Sequence, residues 1–159
     1  MADEKREFLR HTLATLAYRG GKAVRGASEE FAGFAVGESP KTPAMILAHI
    51  GDLLDWAVTL AEGKQAWKNS VPLPWEQEVQ RFHAALQKFD ECLASDRPLV
   101  ASPEVLFQGP IADALTHVGQ LAMLRRLAGA KMKAENYAQA EIVTGRVGAE
   151  QTAPRREFD

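Results

Sequence analysis

Apolar residues recur at helical spacing in four long segments of the chain. In the first, roughly residues 3–25, Leu9, Leu13, Leu16 and Val24 share one face. Gly20 and Gly21 weaken its last turns unless packing compensates. The second opens on Thr42, a good N-cap, with Pro43 in the first helical position, and should run through Ala61 to a stop near Gly63. Its inward rows read Ile46, His49, Leu53, Trp56 and Leu60 beside Leu47, Ile50, Leu54 and Ala57. That apolar surface is too wide for a single contact face. The third segment follows VPLPW, with Trp75, Val79, Phe82, Leu86, Phe89 and Leu93 along a bundle seam, and ends at Asp96, Arg97 and Pro98. The fourth is expected from near Pro110 to Gly129, with Ile111, Ala114, Leu115, Val118, Leu121, Ala122 and Leu124 on its apolar face.

The connections carry signals of their own. GASEEFAGFAVGESPK holds Phe31, Phe34 and Val36, which suggests a loop packed on the helices. Ser102, Pro103 and Glu104 suit one short helical turn. The tail from Ala134 is expected to be extended, apart from a short helix around Asn136 to Val143. EVLFQGP, Glu104 to Pro110, resembles the recognition sequence of a picornaviral protease, but it lies centrally rather than at a terminus and reads as native sequence. No sustained alternation of apolar and polar residues predicts a sheet beyond a two-stranded scrap. The expected fold class is all-α, a four-helix bundle forming one domain over residues 1–159.

Bulk properties narrow the function. The chain has 159 residues, 46% of them hydrophobic, enough for a substantial core. A formal net charge of -2 gives no basic footprint for nucleic acid. No apolar run approaches a membrane span, and the N-terminal residues lack the apolar stretch of a secretory signal. The single cysteine, Cys92, excludes an internal disulfide and suits a reducing compartment, so the cytoplasm is the expected location. Cys92 reads as a small buried hydrophobe rather than a nucleophile.

Candidate chemistry rests on three residues. His49 shares an apolar row with Ile46, Leu53 and Trp56, and both its ring nitrogens must be satisfied there by hydrogen bonds or by metal. On spacing alone, a core histidine bonded to a carbonyl or carboxylate is the commoner outcome. The fourth segment shifts the balance, because Asp113, His117, Gln120 and Leu124 follow one another at spacings of four, three and four. Asp113 and His117, one turn apart, can address one ion. Asp113 alone would also suit the first turn of a helix, where the dipole favours an acid. Gln120 is expected to support a ligand rather than to be one. His11 is expected to be solvated and His83 to sit at the core boundary. There is no glycine-rich phosphate loop, G-x-S-x-G or C-x-x-C.

TPAMILAHIGDLLDW resembles the second helix of the DinB/YfiT-like superfamily, and GPIADALTHVGQLAMLRRLAG resembles its fourth. NYAQAEIVTGRVG is similar to a C-terminal segment of some branches. The resemblance implies an up-down-down-up four-helix bundle, frequent homodimers, and a divalent metal held by one histidine of the second helix and an H-x-x-x-H pair of the fourth. It also implies transferases and isomerases that use low-molecular-weight thiols. Here Asp113 stands where the family often has the first histidine of the pair. His49, Asp113 and His117 would then make a two-histidine, one-carboxylate face suited to Zn(II), Ni(II), Fe(II) or Mn(II). Otherwise the site has decayed and only the scaffold remains. The expectation is a metal-dependent enzyme acting on a small molecule, with a thiol cofactor or a hydrolytic reaction. Arg125 and Arg126 are candidates to hold a carboxylate of the ligand, although solvated cations at a helix C-terminus are the commoner outcome. The alternative is a non-enzymatic metal- or ligand-binding stress-response protein.

Overall fold

The computed structural model describes residues 3–38 and 41–158. Ser39 and Pro40, within the loop expected to pack on the helices, lie outside the described residues. The chain is mostly helical. Helix α1 spans Glu4–Val24, α2 Glu29–Ala32, α3 Pro43–Ala61, α4 Trp75–Ala94 and α5 Pro103–Leu106. A π turn, Phe107–Ile111, leads into α6, Ala112–Leu127. The tail contributes β1 (Ala134–Glu135), a 3-10 turn at Tyr137–Gln139, and β2 (Glu157–Phe158), paired antiparallel with β1.

Local chemistry explains the ends. Asp3 accepts from the N–H groups of Lys5 and Arg6, and Thr42 accepts from that of Met45, so the long helices α1 and α3 both start on side-chain caps. Helix α3 closes before Gly63, whose φ of 77° is the left-handed conformation glycine takes most easily.

The long helices pack side by side, α1 and α3 each contacting both α4 and α6. Phe82, Leu86, Phe89 and Leu93 of α4 meet Leu13 and Leu16 of α1 and Leu47, Ile50 and Leu54 of α3 in one continuous core. By length and composition α3 could cross a membrane, contrary to the expectation that no apolar stretch is long enough. In this fold, however, its apolar residues are spent on packing against other helices. Gly20 has a packing role: a Cβ there would lie 2.7 Å from Cζ of Phe82, so the ring occupies the space that glycine leaves.

Two expectations are corrected. The helix expected to start near Pro110 begins at Pro103, because α5, the π turn and α6 run on without a break. Pro110 has no N–H for the Leu106 carbonyl, and its ring would crowd that group in a regular helix. The wider turn accommodates it, and the Ala112 N–H reaches the Phe107 carbonyl five residues back. Leu106 and Pro110 of the EVLFQGP string are buried, so it is part of the fold. In the tail, the helix expected over 136–143 shrinks to the 3-10 turn.

The tail is held by charge as well as by packing. Glu135 accepts from Nζ of Lys22 at 2.6 Å and from the Tyr18 hydroxyl at 2.6 Å, and Glu157 accepts from the same Nζ at 2.9 Å. Burial, then the Glu135 carboxylate, pushes the Tyr18 hydroxyl pKa far up.

Candidate metal centre

Helices α3 and α6 lie against each other, and their polar rows meet at His49, Asp113 and His117. The preceding π turn helps to set the direction of the α6 row. Nε2 of His49 is 3.7 Å from one oxygen of Asp113, and Nε2 of His117 is 3.4 Å from the other. The two imidazoles stand edge to face with ring centroids 4.7 Å apart. One ligand atom from each of the three residues can be chosen so that all lie within 4.8 Å of one another.

These distances suit a shared cation better than a direct bond. Two ligands each about 2.1 Å from one ion at a tetrahedral angle lie about 3.4 Å apart, close to both histidine–carboxylate separations. Both separations exceed the length of a good charge-assisted hydrogen bond, so the carboxylate is committed to neither ring. A separation at the 4.8 Å limit must close by about 1.4 Å to reach that tetrahedral spacing. The site is shallower than the sequence suggested. The side chains of His49, His117 and Asp113 are 31%, 20% and 48% exposed, so water reaches the carboxylate and burial alone does not demand an ion. The case for metal rests on convergence.

Electrostatics prepares His49 for a metal. Burial above all, then His117 and Lys41, lower its pKa, while Asp113 acts in the opposite direction. A neutral imidazole near pH 7 has a lone pair ready to donate. Nδ1 of His117 is 2.7 Å from Oε1 of Gln120, which is the supporting role expected of that residue.

The coil between α3 and α4 closes one side of the site. Asp52, buried in α3, accepts from the backbone N–H of Ser70 at 2.8 Å, its hydroxyl at 2.6 Å, and Arg81 at 2.6 Å. Burial opposes the Asp52 charge, but the Ser70 and Arg81 bonds keep its pKa below the usual value. With Ser70 tied down, Trp67 donates from Nε1 to Asn69 and sets its ring 5.5 Å from His49 and 5.7 Å from Trp56. A cleft of about 400 Å³ opens between Trp56, Trp67, Leu53, Gln65, His49 and Asp113. Trp56, on the inward row of α3, and Trp67, still 44% exposed, form its aromatic side.

The remaining candidates fall elsewhere. The Arg125 side chain is buried and does not present its guanidinium to a ligand. Nη1 reaches the carbonyls of Ala23 at 3.2 Å and Arg25 at 2.7 Å, and Nε donates to Ala130 at 3.0 Å. It therefore satisfies carbonyls left open at the end of α1. Arg126 is exposed nearby on the surface. His11 is exposed, with Nδ1 3.3 Å from the Thr144 hydroxyl, and His83 is half-buried beside the Val147 carbonyl. Cys92 is buried, and burial raises its thiol pKa, which opposes a nucleophilic role.

No family model, curated protein or solved structure matches the chain.

Proposed function

We propose that the protein is a divalent-metal-dependent enzyme built on an up-down-down-up four-helix bundle of the DinB/YfiT-like kind, acting on a small molecule. The observation that carries this reading is the convergence of His49, Asp113 and His117 from two packed helices. The three residues offer two imidazole nitrogens and a carboxylate from one side, leaving the cleft side open for substrate. Zn(II), Ni(II), Fe(II) and Mn(II) all suit that donor set. A bound ion would supply Lewis acidity, or lower the pKa of a coordinated thiol or water. His49 and His117 would hold it as neutral imidazoles, and Asp113 would balance its charge. Transfer or isomerisation with a low-molecular-weight thiol is the preferred reaction class, with hydrolysis second.

A homodimer is proposed with it on the family resemblance alone, and light scattering at micromolar concentration would give its mass. Calorimetric titration with Zn(II) tests the metal centre itself. One ion per chain is expected, with His49→Ala and His117→Ala each weakening binding by about 100-fold or more. A chelator should lower the melting temperature of the loaded protein. If Asp113 and His117 merely pair with each other, neither titration heat nor chelator effect will appear. Thiol-transfer assays of the loaded protein then separate an enzyme from a non-catalytic metal binder.

A further inference from the structure

We propose that the cleft beside the metal centre selects ligands made of a metal-binding donor group joined directly to a flat aromatic body, with Trp56 and Trp67 as the specificity-determining walls. The inference rests on the metal reading above and adds the class of ligand.

Three observations lead to it. First, the two indoles meet at an interplanar angle of 89° with centroids 5.7 Å apart. They form a corner, where a planar ring can lie flat against one indole while presenting its edge to the other. Aromatic quadrupoles favour those stacked and edge-to-face arrangements over contact with a saturated group. Second, the wall begins one ring-width from the metal ligands, since the Trp67 centroid is 5.5 Å from that of His49. A ligand anchored by its donor group therefore places its next few atoms against the indoles. Third, the corner is built into the fold. Trp67, 44% exposed, donates to Asn69, and Ser70, three residues on, is anchored by buried Asp52. Trp56 stands on α3 against Gly109 of the π turn, where an added Cβ would come within 3.8 Å of its ring.

The cleft, at about 400 Å³, lies at the small end of ligand sites and fits a single ring with its donor group.

The test uses Zn(II)-loaded full-length protein and three hydroxamates with the same metal-binding head: acetohydroxamate, cyclohexanecarbohydroxamate and benzohydroxamate. Binding is read by calorimetry and by quenching of tryptophan fluorescence. Benzohydroxamate should bind at least about tenfold tighter than acetohydroxamate and severalfold tighter than the cyclohexyl compound. In Trp67→Leu, the ratio of benzohydroxamate to acetohydroxamate affinity should fall to about twofold. Because that ratio is taken within one variant, a change in metal affinity does not distort it. Equal affinity for all three probes, or an unchanged ratio in Trp67→Leu, would overturn the proposal and leave the metal centre standing. Equal binding of the cyclohexyl and phenyl compounds would overturn the aromatic class. Failure of the protein to take up Zn(II) in the preceding titration would remove both readings together.

Discussion

Nδ1 of His117 lies 2.7 Å from Oε1 of Gln120, almost one turn further along α6. Where the amide oxygen accepts, the ring proton sits on Nδ1, and Nε2, 3.4 Å from Asp113, is the nitrogen left for a metal. Gln120→Leu should weaken Zn(II) binding by about 10- to 100-fold with little change in metal-free stability. Gln120→Glu, which keeps the acceptor, should retain most of the affinity, and calorimetric titration of the two variants compares them directly.

Neighbouring glycines in α1 should respond oppositely to the same substitution. At Gly20 an added methyl would collide with Phe82, and at Gly21 it would meet Arg25 at 3.6 Å, an ordinary contact. Gly21→Ala should stabilise by up to about 1 kcal/mol through helix propensity. For Gly20→Ala, overpacking of about 1–3 kcal/mol opposes that gain, giving net destabilisation. Urea denaturation midpoints of the two variants should move in opposite directions.

Removing Glu135 leaves Lys22, 8% exposed, with the more exposed Glu157 as its remaining carboxylate among the described residues. Glu135→Ala is therefore expected to cost about 2–4 kcal/mol. Replacing both partners, Lys22→Met with Glu135→Leu, removes the stranded charge and should recover much of the loss. A double-mutant cycle by urea denaturation measures the coupling.

Burial lowers the pKa of His83 from 6.5, outweighing the bond to the Val147 carbonyl. Between the lowered value and 6.5, the unfolded chain binds more protons than the folded one, so stability rises with pH in that window. As pH falls below 6.5 this contribution is lost until the folded-state pKa is passed. His83→Gln should flatten that part of the profile for the metal-free protein. An unchanged slope in chemical denaturation across the same window would assign the pH response to other groups.

What could be read from sequence was local. Thr42–Pro43 announced the start of α3, and the seam from Trp75 to Leu93 announced α4, because caps and helical periodicity involve residues a few positions apart. His49, Asp113 and His117 stood out because polar residues interrupted apolar rows. Other features depend on contacts across long stretches of chain. Lys22 and Glu135, 113 residues apart, carry no mutual signature. Arg125 read as a helix-end cation, solvated or holding a ligand, because the open carbonyls of α1 are invisible without the fold. The nearness of Trp67 to His49 carries no local signal either, because it depends on how the coil is tied to Asp52. Pro110 misled for a different reason: the preference that places proline at helix starts also operates where a helix merely widens.

The widened turn before α6 makes the candidate site a matter of phase. A helix advances by about 100° per residue, so the one-residue expansion at Phe107–Ile111 rotates everything beyond it by that angle relative to an unbroken α-helix. Asp113 and His117 owe their heading towards His49 to that offset as well as to their own identities. Chain length between Leu106 and Ala112 is therefore under the same constraint as the ligands themselves. A sequence that kept all three metal-binding residues but lost one position in this turn would aim its carboxylate and imidazole away from α3.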